Sequence, residues 1–395
     1  MISTFKHYFF IGSFFVIMLY SLYGIIWDGK IKLSGVIQNI EKPTVLWSDI
    51  LSGKYQKQYE DYFNNNFYGR ELLIKLRSQF MYSFFSESPN NNVVIGANGY
   101  LYEPGYIFSE LDIYNTNKNF NVEDMADKLS QVSKLLEKNG KKLYVFITPN
   151  KVFYTKDKVP LSYSLVRNSN TNILVDKFTT ELRNKEINFI NSRDIINEKL
   201  DDYQFPIFYS TGIHWSRAWG VICVNELWNL INKTNNDKYS LISINFEKND
   251  KVEWPDADLF QTLNLFTKPR DNYHQGRISI LEKRIQPNVF ARGGSFLGQS
   301  WSELVRSGVF NRDIHYENNY FFTNNYSTQE VLSSFESYNE NDIWKSYFVD
   351  SDIVVLEINE AAITRATFGF VDYILTNKNS LGLESNDLIK TENNE

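Results

Sequence analysis

Cysteine is almost missing from this chain: Cys223 is the only one in 395 residues. A single thiol closes no intrachain disulfide and builds no CxxC or multi-cysteine metal site. It lies in an apolar helical stretch, where a lone thiol more often fills core than attacks a substrate. Histidine is nearly as scarce, with four residues, so each can be weighed alone. No Lys/Arg-rich run occurs and the net charge is -6, which removes the basic face that nucleic-acid binding needs. Internal repeats are absent as well. Nothing in the sequence indicates a metal, a nucleotide or another cofactor.

Aromatic residues, at 16%, are plentiful and spread along the whole length. Core packing is their ordinary use, and an aromatic carbohydrate cleft is the alternative, because sugar rings stack on flat apolar faces. One apolar run is long. Tyr8 to Trp27 is twenty residues without a charge, about 30 Å as a helix at roughly 1.5 Å per residue. Lys6 precedes it, and Asp28, Lys30 and Lys32 follow, so the charge balance decides orientation weakly. No A-x-A-like cleavage site follows, which favours a retained signal anchor over a cleaved signal peptide. The expected organisation is a membrane anchor at 1–30, a stalk and helical lead-in at 31–90, a main domain at 91–376 and a polar tail at 377–395. Residues 8–27 would contact the lipid bilayer, with the remainder outside the cytoplasmic membrane.

Along the main domain, strand and helix signals alternate. Asn98-Gly99 marks a hairpin between Val93–Ile95 and Tyr100–Tyr102. Val122 to Glu137 has helical spacing and stops at Asn139-Gly140. The unbroken apolar runs Lys142 to Thr148 and Asp352 to Ile358 predict buried strands. Helices are expected at Asn172 to Asn184, Ser216 to Ile231 and Ile343 to Phe348, with short strands at Ile187 to Ile190 and Val289 to Ala291. Strands separated by helices imply a mainly parallel sheet covered on both faces.

Elimination narrows the histidines. His7 lies beside the anchor, His274 in a polar stretch expected to be loop, and His315 has no distinctive neighbours. His214 stands in Tyr209-Ser-Thr-Gly-Ile-His-Trp-Ser-Arg, between an expected strand and a helix, where α/β sheets present functional groups. It reads either as catalytic or as a packed loop residue. Ser295 follows Gly293-Gly294 at the start of an expected helix, where free amides can stabilise an oxyanion. It reads either as a nucleophile or as a helix cap. A G-x-S-x-G elbow is not present, since Phe296-Leu297 follows.

Five segments together resemble one family. Gly96-Ala-Asn-Gly-Tyr-Leu-Tyr, Ile147-Thr-Pro-Asn-Lys with Tyr154, Thr211-Gly-Ile-His-Trp-Ser, Gly294-Ser-Phe and Asp352-Ile-Val-Val-Leu-Glu-Ile-Asn-Glu occur in order over residues 93 to 375. They are similar to the motifs of the SGNH-hydrolase-like domain of the AlgX/AlgJ family of alginate and other exopolysaccharide O-acetyltransferases. The resemblance implies a flavodoxin-like α/β fold, with Ser295 as the acyl-accepting nucleophile and His214 as its general base. Gly294, Asn150, Lys151, Tyr154 and Trp215 become candidates for the oxyanion and substrate site. It further implies a bacterial protein, a polysaccharide acceptor in the periplasm or at the cell surface, and a membrane-bound O-acyltransferase as acetyl donor.

Two departures stand out. The family's aspartate two positions before the histidine is Gly212, and its aspartate before the serine is Gly294. Loss of the acid from a serine triad costs about 10⁴-fold in the best-studied protease. Glu357 or Glu360 replacing it, a backbone carbonyl orienting His214, and a protein that binds without reacting are the three readings. An esterase acting on acetylated polymer is the rival enzyme.

Overall fold

The computed structural model describes residues 2–23, 32–35, 40–113, 120–166, 173–250, 252, 254–317, 320–323, 343–365 and 368–383. Ten strands occur among them. They are β1 (Val94–Ile95), β2 (Leu101–Tyr102), β3 (Lys142–Thr148), β4 (Phe189–Asn191), β5 (Leu241–Lys248), β6 (His274–Glu282), β7 (Asn288–Gly293), β8 (Arg312–Glu317), β9 (Tyr320–Thr323) and β10 (Ile353–Asn359). The chain divides into two compact units: residues 1–95 with 258–270, and residues 96–257 with 271–395.

The smaller unit is mostly helical. Lys54–Asn66 and Arg70–Phe80 form helices within the helical lead-in expected at 31–90. Gly69 separates them at a φ of 87°, a left-handed conformation that glycine adopts without a side-chain clash. Residues 258–270, expected within the main domain, fold here instead. Lys75 Nζ donates to the Leu265 carbonyl at 3.2 Å, and Gln79 Oε1 accepts from the Phe266 amide at 3.0 Å. The apolar amino-terminal segment is a helix over Ile2–Tyr23, which includes Lys6 and His7. No helix among the described residues is long and apolar enough to cross a membrane, so the span expected at 8–27 is not supported there. Residues 24–27 of that run lie outside the described residues.

The larger unit is built on a six-stranded sheet of order β4-β3-β10-β7-β8-β9. Every pairing is parallel except β8 with β9, which closes one edge antiparallel. The unbroken apolar runs become β3 and β10 at its centre, because strands buried on both faces need apolar residues at every position. Leu143, Val145 and Ile147 of β3 join Val354, Leu356 and Ile358 of β10 and Phe290 of β7 in one cluster. The helices Val122–Lys138, Ile173–Asn184, Ile343–Asp350 and Phe370–Asn377 contribute the rest of that layer. Tyr144, Phe146, Val289, Ala291, Ile353 and Val355 face the other way, against the helices Arg217–Thr234 and Ser295–Ser307. The result is an α/β sandwich with a mainly parallel sheet covered by helices on both faces.

Three features depart from the sequence reading. β5 and β6 form an antiparallel pair outside the main sheet, and His274, expected in a loop, opens β6 with its ring 4.8 Å from Phe205. The tail expected from residue 377 packs as far as 383: Leu381 and Leu383 are buried and the Leu383 carbonyl accepts from Asn139 Nδ2 at 2.9 Å. His214 is not carried by a sheet strand. It sits in a loop whose ends meet in a single antiparallel bridge between Phe208 and Trp215.

Phe290 joins the central strand β7 to the covering helices, with ring centroids 5.4 Å from Phe348, 5.3 Å from Phe370 and 6.1 Å from Trp344. Phe290→Ala should lower unfolding stability by about 3–5 kcal/mol in denaturant titration, the range for a buried ring whose cavity collapses only partly. A loss below about 1 kcal/mol would show that the layer is not packed as described.

Candidate active site

The turn that carries Ser295 is shaped by a carboxylate beneath it. β7 ends at Gly293, and Ser295 is the first residue of the helix Ser295–Ser307. Gly294 has no side chain to cap that helix. Glu357, from the neighbouring strand β10, does so instead: its Oε2 accepts the Gly294 amide at 2.7 Å. Its Oε1 accepts from the Thr148 hydroxyl at the end of β3. A negative group at a helix amino terminus also faces the positive end of the helix dipole. Gly293 makes this approach possible. A Cβ there would lie 2.7 Å from both Cβ and Oε2 of Glu357 and 2.8 Å from Cβ of Leu297. Neither glycine of the pair takes a positive φ, so close approach, not an unusual dihedral, is the reason for Gly293.

The loop that carries His214 is held by a buried cation. Lys151 Nζ donates to the carbonyls of Gly212 at 2.6 Å, Leu101 at 2.8 Å and Ser210 at 3.2 Å. The Lys151 side chain is fully buried, and the rings of Tyr100 and Tyr102 lie 5.4 and 5.1 Å from its nitrogen. Asp271 Oδ2 accepts from the hydroxyls of Ser210 at 2.8 Å and Thr211 at 2.9 Å. A bond of 2.7 Å links Thr211 Oγ1 to the Tyr273 hydroxyl. With the loop fixed on both sides, the imidazole of His214 packs against Phe296, centroids 4.7 Å apart, and Trp254, 5.6 Å apart.

The two loops meet. His214 Nε2 lies 2.7 Å from Ser295 Oγ, across 81 positions of sequence. His214 is buried and Ser295 half-buried, so the pair faces solvent through the serine. The first helical bond is made by the Leu297 amide to the Gly294 carbonyl at 3.2 Å. The amides of Ser295 and Phe296 precede it in the first turn, where helical amides lack an intrahelical acceptor. Amides at such a position can donate to an oxygen anion.

The other candidates are placed elsewhere. Gly294 spends its amide on Glu357 and is not an oxyanion donor. Asn150 caps the short helix Lys151–Tyr154 through the Val152 amide at 3.0 Å and donates to the Tyr106 carbonyl at 3.2 Å. Lys151 points into the loop backbone and not toward a substrate. Tyr154 packs its ring 5.8 Å from Phe208, and burial pushes its phenol pKa well up. Trp215 is fully buried between Phe146 and Phe296, and its carbonyl accepts from Gln299 Nε2 at 2.6 Å.

Neither glutamate replaces the missing acid by hydrogen bonding. Glu360 Oε2 accepts from Arg193 at 2.8 Å and from the Asn150 amide at 3.0 Å. Burial pushes the Glu360 carboxyl up to about 7, against the pull of Arg193. Glu357 serves Thr148 and Gly294. Burial pushes its carboxyl up, and those two hydrogen bonds, with the charges of Arg292 and His214, pull it back down. Gly212, where the family carries aspartate, has no room for one. A Cβ there would lie 2.6 Å from the Asp256 carbonyl oxygen and 2.9 Å from that of Pro255. The 255–256 backbone therefore fills the space in which the family's side chain would begin. Thr148, Asp271 and Trp254 were not legible as site residues; only their tertiary partners distinguish them.

Residues 93–226 match the family described as SGNH hydrolase-like domain, acetyltransferase AlgX. That stretch holds the hairpin, the Pro-Asn-Lys segment and the His214 loop, so the resemblance read from those motifs holds. No curated protein matches the chain. Among solved structures, it is similar to the O-acetyltransferase domain of Pseudomonas putida AlgJ at 17% identity and a TM-score of 0.48, covering 73% of this chain and 99% of that one. Pseudomonas aeruginosa AlgX is 11% identical with a TM-score of 0.42, covering 71% of this chain and 67% of that one. Bacillus cereus PatB1 is 9% identical with a TM-score of 0.40, covering 69% and 97%.

Restoring the family residue should therefore harm the protein. Gly212→Asp is expected to cost about 1–3 kcal/mol or more of stability through overpacking against the 255–256 backbone. It should bring no gain in hydrolysis of an activated acetyl ester. A stable variant with raised turnover would contradict this steric account.

Proposed function

We propose that this protein, whose residues 93–226 match the SGNH hydrolase-like acetyltransferase domain, transfers acetyl groups to hydroxyls of a secreted or cell-surface polysaccharide through Ser295. The observation that carries the reading is the 2.7 Å contact between His214 Nε2 and Ser295 Oγ. A helix cap and a packed loop histidine have no reason to meet at that distance. A base and a nucleophile do.

In the first half-reaction, His214 Nε2 takes the Ser295 hydroxyl proton while Oγ attacks the carbonyl carbon of an acetyl ester or thioester. The tetrahedral oxygen anion faces the amides of Ser295 and Phe296. As the intermediate collapses, the donor's C–O or C–S bond breaks and His214 returns its proton to the leaving group. A sugar hydroxyl then gives its proton to His214 and attacks the acetyl-serine. The bond to Ser295 Oγ breaks, and Oγ recovers the proton. Water in place of the sugar gives an esterase with the same residues. Gly212 favours a second reading, a polysaccharide-binding subunit without turnover, because the family's aspartate is not at that position.

The apolar run at 8–27 supports a membrane anchor that leaves the larger unit outside the cytoplasmic membrane of a bacterium. Acyl-CoA is cytoplasmic, so such a protein needs its acetyl group delivered across the bilayer. A membrane-bound O-acyltransferase is the partner that fits this requirement.

Ser295→Ala and His214→Ala should each reduce acetyl transfer from p-nitrophenyl acetate to polymer by at least about 10³-fold, with unchanged far-UV dichroism. Mass spectrometry of the parent should find acetyl on Ser295. A parent that binds polymer but shows no Ser295-dependent turnover establishes the binding reading. For the anchor, full-length protein should stay with membranes through an alkaline wash. Recovery of a mature amino terminus near residue 25 would show instead a cleaved signal.

A further inference from the structure

Among the described residues, the larger unit turns its aromatic rings inward with one exception. Of its rings whose surroundings are described, all are buried or half-buried except Trp254, which is 46% exposed. Its neighbours Pro255, Asp256 and Ala257 are buried. The exposed indole stands at the site. The Trp254 ring meets the His214 imidazole edge-on, at 64° and 5.6 Å between centroids. Phe296 closes the other side of the imidazole at 4.7 Å, and half-buried Ser295 opens beside them.

The backbone under Trp254 is fixed. Its carbonyl accepts from the Arg217 guanidinium. The Arg217 amide donates to Asp256 Oδ1 at 3.3 Å, and Thr211 Oγ1 lies 3.2 Å from the Asp256 carbonyl oxygen. The indole thus projects from a segment tied both to the start of the helix Arg217–Thr234 and to the His214 loop. A ring left in water on a rigid support forgoes burial that the other aromatics of this unit obtain. Binding a flat apolar partner recovers it.

We infer that Trp254 is the platform on which a pyranose ring of the acceptor polysaccharide lies while its hydroxyl reaches Ser295. The inference rests on the acetyl-transfer reading and specifies how the acceptor is held. A pyranose ring offers a face of C–H groups that complements the negative face of an indole. The step from Trp254 to His214 is about one sugar-ring width. A hydroxyl on the stacked ring then falls within reach of His214 Nε2, which takes its proton. Stacking needs no charge on the sugar, so neutral and uronate chains can both use it. The platform's consequence is competition. A ring held there presents a hydroxyl to the acetyl-enzyme in place of water.

The test is the partition of the acetyl-enzyme. Full-length protein is given p-nitrophenyl acetate with a mannuronate pentamer or with cellopentaose, and the ratio of acetylated sugar to free acetate is measured. Trp254→Ala should lower that ratio by at least about tenfold, and Trp254→Phe should recover it to within about threefold of the parent. Acylation rate cancels from the ratio, so a merely slowed site does not mimic the effect. A ratio in Trp254→Ala within threefold of the parent overturns the platform. Calorimetric titration of both pentamers into Ser295→Ala protein separates this inference from the chemistry. Adding Trp254→Ala should weaken binding at least about tenfold, whether or not the parent turns over. An unchanged Kd, or no binding of either pentamer without the second substitution, overturns it.

Discussion

A fully buried ammonium group holds the site together. Lys151 donates to three carbonyls, those of Leu101, Ser210 and Gly212, and so ties β2, the segment after β3 and the histidine loop at one nitrogen. Taking such a charge out of water costs several kcal/mol unless oriented dipoles replace its hydration. The three carbonyls and the faces of Tyr100 and Tyr102 supply that replacement. The arrangement forces the 210–212 backbone to turn its carbonyls inward, which leaves His214 projecting toward β7. A loop held only by its own hydrogen bonds would have no comparable reason to stay in one conformation.

Glu357 plays the matching part under Ser295. Its carboxylate joins Thr148 at the end of β3 to Gly294 beyond the end of β7, so the strand ends on either side of β10 are linked through one side chain. The histidine side is thus organised by a buried cation and the serine side by a buried acid. The cation meets backbone carbonyls, and the acid meets one backbone amide and one side-chain hydroxyl. Among the described residues, the rings packed on the His214 imidazole are those of Phe296 and Trp254.

Much of the fold was legible because a buried parallel sheet writes unbroken apolar runs. Lys142–Thr148 is β3 as read, and Ile353–Asn359 is β10 within one residue at each end. β5 and β6 were not legible. They are separated by a segment that folds with the other unit, and their exposed positions dilute the alternation. For the site, the order of motifs pointed to His214 and Ser295, and the structure brings them into contact. That Lys151 meets three carbonyls and the Gly294 amide meets Glu357 was not legible, because sequence cannot say whether a polar group faces a ligand or the protein itself. Gly212 showed the reverse limit. Its missing carboxylate was visible, but the 255–256 backbone that fills the space was not. Nor could composition separate Trp254 from the rings that pack the core.

The position of Glu357 on β10 couples chain folding to chemistry. In the parallel pairing with β3, Glu357 stands opposite Phe146. Side chains along a strand alternate between faces, so a slip of one residue exchanges the two faces completely. After such a slip Glu357 would enter the layer of Val354, Leu356 and Ile358, and an aliphatic side chain would stand beneath Gly294. The serine turn would lose its cap at the same moment that the core gained an unpaired acid. A register slip would therefore disturb the core and the Ser295 turn together.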